Sequence, residues 1–324
     1  MLVALAVPAP AFAGTKVSAF FYPWYATVAR DGAFVHWSQA GHAPPDDIAS
    51  SYFPARGLYS STDLLVLGRQ LEEIRGAGID EIAVSWWGRG SFEDMRLPAV
   101  AAAARAQGVR VAAHLEPYPD RTVASTLADV EYLRGLGVRT FYVYRPLDLP
   151  VAEWAEANAR LDGVRILAQT NFVGAAAKGG FDGVYTYDIV TFGGDRFARL
   201  CAAAHAAGLL CAPSVGPGYD ARRGSRDPRV KLRRSGRTYD AMWRSAITAR
   251  ADRVTITSYN EWHEGTQIEP ASPALRHGLY RYYPYNGAWG KHGADAGRAY
   301  LDRTAYWSDV FRKTSAAQPK TTAS

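Results

Sequence analysis

Residues 63–87 read Asp-Leu-Leu-Val-Leu-Gly-Arg-Gln-Leu-Glu-Glu-Ile-Arg-Gly-Ala-Gly-Ile-Asp-Glu-Ile-Ala-Val-Ser-Trp-Trp. An amphipathic helical pattern from Asp63 to Arg75 is stopped by Gly76 and Gly78, and an apolar strand, Ile79 to Trp86, follows and ends in aromatics. The same unit recurs along the chain. Helical patterns run over Pro98 to Gln107, Thr122 to Arg134, Phe197 to Ala207, Tyr239 to Ala251 and Arg298 to Arg312. Strand patterns run over Val17 to Tyr22, Val109 to Leu115, Thr140 to Tyr144, Val164 to Gln169, Gly183 to Tyr187, Leu209 to Ser214 and Arg253 to Ser258. With Ile79 to Trp86 that makes eight strands alternating with helices in 324 residues, which predicts an α/β fold. The architecture is a single (β/α)8 TIM barrel rather than an open doubly wound sheet, and its chemistry belongs at the C-terminal strand ends.

Those ends carry aromatics and carboxylates: Tyr22-Pro23-Trp24-Tyr25, Trp86-Trp87, His114-Leu115-Glu116, Tyr185-Thr186-Tyr187-Asp188 and Gly216-Pro217-Gly218-Tyr219. Sugar rings suit such a surface, because their C–H faces pack on aromatics while their hydroxyls need acceptors. The last strand runs into Ser-Tyr-Asn-Glu-Trp-His-Glu-Gly-Thr-Gln-Ile-Glu-Pro over 258–270, which places Glu261 and Glu264 three residues apart at one strand end. Two carboxylates confined in a partly dry site cannot both ionise freely, so one becomes an acid and the other a base, as glycosidic cleavage requires. The plainer reading is a helix N-terminus whose dipole the glutamates offset. Asn260, Trp262, His263 and Gln267 add more polar and aromatic reach than a cap needs.

Other chemistries find little support. No GxGxxG, Walker, kinase or Gly-x-Ser-x-Gly signature is present. His36, His114, His263 and Glu116 could ligate a metal, but no HExxH spacing sets two on one helical face, so neither metal nor cofactor is expected. The chain is 48% hydrophobic with net charge +6, and no apolar run reaches the roughly 18 residues of a membrane span. Residues 222–237 hold eight basic residues against Asp227 alone. That loop reads as solvated surface or, more sharply, as a contact for an anionic glycan; nucleic acid would need stacking aromatics within the run. Cys201 and Cys211 exclude a disulfide scaffold and are expected as buried free thiols rather than a bonded pair. Residues 1–13 fit a secretory signal lacking its basic n-region, which predicts a secreted or extracytoplasmic protein. Residues 14–313 are expected to form the catalytic domain and 314–324 a disordered tail.

The chain resembles glycoside hydrolase family 99, the endo-α-1,2-mannosidases and endo-α-1,2-mannanases. The matching segments are Phe21 to Tyr25, Asp31-Gly32 with His36-Trp37, Pro44 to Ile48, Ser85 to Trp87, His114 to Tyr118, Phe181 to Tyr187, Pro213 to Tyr219 and Asn260 to Pro270. The resemblance implies an endo-acting retaining hydrolase of α-1,2-mannosidic linkages in α-mannan or mannose-containing oligosaccharides. In that mechanism Glu261 acts as base on the sugar's own 2-hydroxyl, giving a 1,2-anhydro sugar, and Glu264 protonates the leaving oxygen and later activates water. Family substrate contacts carry over to Tyr22, Trp87, Glu116 and one of Tyr185 or Tyr187, with Asn260 and His263 supporting the turn. The strand-end residues Trp24, His114 and Tyr219 complete the candidate substrate-binding set. Two departures from the family pattern fall at the catalytic end: a short connection from Gly137 to Phe141 and a short segment between Gly41 and Pro44. Trp87 stands where mannan-cleaving relatives have Trp and glucosyl-mannose-cleaving relatives have Tyr. The competing readings are a non-catalytic glycan-binding barrel, against which retention of both glutamates argues, and a polysaccharide-assembly protein, which a neighbouring glycosyltransferase domain would favour.

Overall fold

The computed structural model describes residues 16–317, so the signal-like segment lies outside the described residues. Its parallel strands are β1 (Lys16–Phe21), β2 (Glu81–Trp86), β3 (Arg110–Leu115), β4 (Thr140–Val143), β5 (Arg165–Gln169), β6 (Gly183–Tyr185), β7 in two halves (Leu210–Ala212 and Ser214–Val215) and β8 (Arg253–Ile256). Pro213, which has no N–H for a ladder, divides β7. The first half pairs with β6 and the second with β8, which pairs in turn with β1, so the sheet closes into the expected (β/α)8 barrel.

Helices α1 (Leu64–Gly76), α2 (Phe92–Ala106), α3 (Val123–Gly135), α4 (Val151–Asn158), α5 (Val173–Lys178), α6 (Phe197–Ala206), α7 (Arg237–Thr248) and α8 (Ala299–Ala316) connect the strands or close the chain. Asp63 caps α1 through Leu65 and Val66 N–H, and Thr122 with Ser125 forms a capping box on α3. Pro98 does not start α2 as expected. Ser91 accepts from Asp94 N–H and Asp94 accepts from Trp86 Nε1 and Gly90 N–H, which nucleates the helix six residues earlier. The two short helices α4 and α5, of eight and six residues, are shorter than the roughly 11-residue window in which periodicity shows and are not legible in the sequence. Helix α8 continues three residues into the segment read as tail, where Thr314 Oγ1 donates to Val310 O at 2.9 Å.

Residues alternate along the strands between the helix-covered wall and the barrel interior. Phe20, Tyr22, Ala83, Ala112, Tyr142, Leu167, Tyr185, Tyr187 and Ala212 fill that interior. Its lower end is plugged by Glu81, which accepts from Ser18 Oγ at 2.9 Å and pairs with Arg253 at 3.4 Å. Phe20 packs above this plug, 4.6 Å from the His114 ring and 5.0 Å from that of Tyr187, and forms the floor of the catalytic end.

The cysteines overturn the free-thiol expectation. Helix α6 turns back through Gly208, where φ is +72°, and brings Cys201 to a Cα–Cα distance of 5.1 Å from Cys211 on β7, where the two are bonded. Burial is common to free and bonded cysteines; only the docking of α6 on β7 decides that the sulfurs face each other.

Candidate active site

The segment after β8 forms no helix, which removes the helix-dipole reading of its glutamates. It is an irregular turn whose polar groups are tied to its surroundings. Asn260 anchors it to the end of β1: its Oδ1 accepts from Tyr22 N–H at 2.8 Å and its Nδ2 donates to Tyr22 O at 3.0 Å. Glu261 N–H donates to Ser258 Oγ at 2.8 Å, and the Glu261 carboxylate accepts from His263 N–H at 3.0 Å. His263 Nε2 donates to His36 O at 2.8 Å. Trp262 is fully buried and donates through Nε1 to Glu269 at 2.8 Å.

Glu269 is the member of this motif whose purpose the sequence did not disclose. Its Oε2 accepts from Tyr59 OH and Trp262 Nε1, and its Oε1 accepts from Gln70 Nε2 and lies 3.0 Å from Arg56 Nε. It is a wholly buried keystone beneath the turn.

The turn brings Glu261 and Glu264 together at the barrel mouth. Glu261 is 3% exposed, while Glu264 is partly open and accepts from Tyr187 OH at 3.1 Å. Tyr187 OH in turn lies 2.5 Å from Tyr22 OH. Burial pushes both carboxyls well above the usual carboxylate range; the neighbouring Glu116 adds to this at Glu261, and Glu261 adds to it at Glu264. Burial also holds the His263 imidazole neutral, lowering it to about 4.

A second polar chain borders the pair. Trp87 Nε1 donates to Ser85 Oγ at 3.2 Å, Ser85 Oγ donates to Glu116 at 2.8 Å, and His114 Nδ1 lies 2.9 Å from the same carboxylate oxygen. Trp87 is 38% exposed and offers an open ring face, and Trp24 is partly open and stacks on His36 at 4.2 Å. Tyr185 is completely buried and bonds His114 Nε2 at 3.0 Å. Of the two tyrosines the resemblance left open, Tyr187 therefore touches the acid pair; Tyr185, His114 and Asn260 support other side chains and present no open surface to a ligand.

Beside Glu264 lies a cavity of about 50 Å³ lined by Tyr144, Tyr187, Tyr219 and Arg229. Sequence reading missed Tyr144 and Arg229, although Tyr144 closes a strand pattern at the catalytic end. Larger cavities of about 580 and 500 Å³ lie away from the carboxylates, the first by Lys16 and Arg139 and the second by Phe192 and Arg199.

The basic loop is not a free cationic surface. Arg222 pairs with Asp220 at 2.8 Å, Arg223 with Asp47, and Arg229 with both Asp227 and Asp188. Arg233 is buried. Ion pairing of three of the eight and burial of a fourth, invisible in a count of charges, take up half of the run.

A family model described as Glycosyl hydrolase family 99 matches residues 13–313. A glycoprotein endo-alpha-1,2-mannosidase-like protein of Danio rerio is 32% identical, over 91% of this chain and 78% of its own length. The glycoprotein endo-alpha-1,2-mannosidase of Mus musculus is 28% identical over 91% of this chain and 74% of its own. The solved GH99 endo-alpha-mannosidase of Bacteroides thetaiotaomicron superposes with a TM-score of 0.83 at 28% identity, covering 93% of this chain and 99% of that one.

Proposed function

The chain belongs to glycosyl hydrolase family 99 and is a glycoside hydrolase, and from that premise we propose that it cleaves α-1,2-mannosidic linkages inside mannan or mannose-rich glycans with retention of configuration. The observation that carries the reading is the pair Glu261 and Glu264 on one turn, both desolvated, with Tyr187 OH on Glu264. Glu261 takes the proton of the sugar's 2-hydroxyl as that oxygen attacks C1, and Glu264 gives its proton to the departing glycosidic oxygen. The product of this step is a 1,2-anhydro sugar and the released acceptor. Glu264, now ionised, takes a proton from water as the water oxygen attacks C1, and Glu261 returns its proton to the 2-oxygen. Attack from within the ring needs no separate nucleophile to be immobilised, which favours this route. Tyr187 favours the ionised form of Glu264 after the first step by donating to it.

Product analysis on an α-1,2-branched mannan tests the reading: oligosaccharides whose new reducing ends are first α are expected. Release of monosaccharide, or of β product first, would refute endo action or retention. Glu261→Gln and Glu264→Gln should each lose roughly 10²- to 10⁴-fold in kcat with the fold intact. Near wild-type turnover in either would remove that residue from the mechanism, and the absence of turnover by the wild-type chain on any α-mannan would favour a non-catalytic binding barrel.

Trp87 leans the substrate toward mannan, since an indole gives a sugar an apolar face and no hydroxyl partner. For an anionic glycan, Arg226, Lys231, Arg234 and Arg237 remain, the last three around a separate cavity of about 1090 Å³ on the side of the loop. Replacing Arg234 and Arg237 by Gln should weaken binding of phosphorylated mannan and flatten its salt dependence without changing neutral mannan; equal effects on both substrates would return the loop to solvated surface. The Cys201–Cys211 bond favours an oxidising, extracytoplasmic compartment. Fractionation that found the native protein in the cytosol with two titratable thiols would overturn this placement.

A further inference from the structure

We propose that Arg233 is a positioning residue that clamps the catalytic turn through the carbonyls of Gly265 and Gln267 and thereby sets Glu264 for proton transfer. The inference rests on the two-glutamate reading above.

Arg233 belongs to the loop after β7. Its side chain crosses to the turn after β8, where Nη2 donates to Gly265 O at 3.0 Å and to Gln267 O at 2.7 Å. The guanidinium sits in a box of three tyrosine rings, 4.6 Å from Tyr52, 4.5 Å from Tyr285 and 4.6 Å from Tyr300. Among the described residues no carboxylate pairs with it. A buried cation costs more than an apolar side chain of equal volume unless rings and hydrogen bonds repay the desolvation. Stability alone would be served as well by a Met or Leu. What an arginine adds here is a rigid donor that holds two carbonyls of a turn with no ladder of its own.

Three further contacts direct the clamp at Glu264. Asp220 N–H, on the same loop, donates to Glu264 O at 2.8 Å. Gly265 has φ +63° and an added Cβ would lie 3.0 Å from Asp220 O, so the backbone after Glu264 has one narrow seat. At Gly218 a Cβ would meet Arg233 Cγ at 2.7 Å, which shows how closely the loop must pass for the side chain to reach across. The Glu264 backbone is thus held by Asp220 directly and by Arg233 through the next peptide. Misplacement of the carboxyl by about 1 Å is enough to cost roughly 10²-fold in proton transfer.

The test compares two substrates in the full-length enzyme. The acceptor part of an α-1,2-mannan oligosaccharide would leave as a poor alkoxide without Glu264's proton, whereas the matching oligomannosyl fluoride releases fluoride and needs little acid help. Arg233→Met fills the box but removes both donated bonds. It should lower kcat on the oligosaccharide about 10- to 100-fold with KM within about threefold, and leave kcat/KM on the fluoride, which reports the bond-breaking step alone, within about threefold of wild type. Arg233→Lys, which keeps the charge and one donor, should recover part of the oligosaccharide rate and serves if the Met variant does not fold. Equal losses on both substrates, or no loss on either, would overturn the proposal and leave Arg233 a packing element. Glu264→Gln run in parallel reports on the underlying assignment: it should spare kcat/KM on the fluoride selectively, because Glu264 activates water only after the fluoride has left, and if it does not, the acid role of Glu264 fails whatever Arg233 does.

Discussion

Replacing Glu269 by Gln should destabilise the protein substantially although the change is isosteric and far from any substrate contact. Two oxygens accept three hydrogen bonds, from Tyr59, Trp262 and Gln70, and Oε1 also pairs with the Arg56 guanidinium at 3.0 Å. Burial pushes this carboxyl upward while Arg56 pulls it down. Three donors and an adjacent guanidinium favour the ion, since a proton on Glu269 would be set against all of them. An amide at 269 turns one acceptor into a donor aimed at donors and strips Arg56 of one of two acids. Removing one partner of a buried pair costs 3–5 kcal/mol in general. Glu73, 2.6 Å from Arg56, retains part of the compensation, so a loss of about 3 kcal/mol is expected. Urea denaturation followed by tryptophan fluorescence would read it, and Trp262, whose Nε1 donates to Glu269, should alter the native spectrum. Because Trp262 separates Glu261 from His263 and Glu264, kcat should fall as well. A variant with unchanged stability would mean that Glu269 is protonated in the folded state and that the keystone argument is wrong.

Trp87→Tyr should favour glucosyl-mannose over mannosyl-mannose substrates by about 1–2 kcal/mol in relative kcat/KM, the worth of one gained hydrogen bond; an unchanged ratio on matched fluorogenic disaccharides would remove Trp87 from specificity. Cys201→Ala/Cys211→Ala should cost roughly 2.5–3 kcal/mol in stability, from reopening a loop of sequence separation 10, and a thermal midpoint within a degree of wild type would argue against the bond. His263 and His36 are lowered to about 4 and about 3 from 6.5, chiefly by burial, so the folded state binds fewer protons than the unfolded chain. Their stabilisation is complete above the unfolded value and is lost as pH falls from about 6.5 toward the folded values. Glu261 and Glu264, raised in the folded state, act in the opposite direction as pH rises above the ordinary carboxylate range, so the variant comparison isolates the histidine. His263→Gln should therefore remove about 2 kcal/mol of the difference in unfolding free energy between pH 7 and pH 5; an unchanged difference would show that His263 is charged in the native state.

The sequence by itself determined the barrel, because alternation of helical and strand periods is a local property that survives without contacts. It also determined where the chemistry lies, since carboxylates and aromatics at strand ends become neighbours as soon as the strands close into a barrel. The run from Asn260 to Pro270 named the acid pair for the same reason: Glu261 and Glu264 are close in sequence as well as in space. Tertiary structure alone decided what depends on partners remote in the chain. Tyr187 rather than Tyr185 reaches Glu264, because the barrel interior closes over one ring and leaves the other at its mouth. Cys201 and Cys211 bond because α6 docks on β7. Glu269 is a structural anion because Arg56, Tyr59 and Gln70, some 200 residues earlier, converge on it. The basic loop offers the sharpest contrast, for charge counting treats its eight cations alike. The fold spends Arg222, Arg223 and Arg229 on aspartates and encloses Arg233 among three tyrosines, since burial and pairing are set by which surfaces meet and composition holds no record of that.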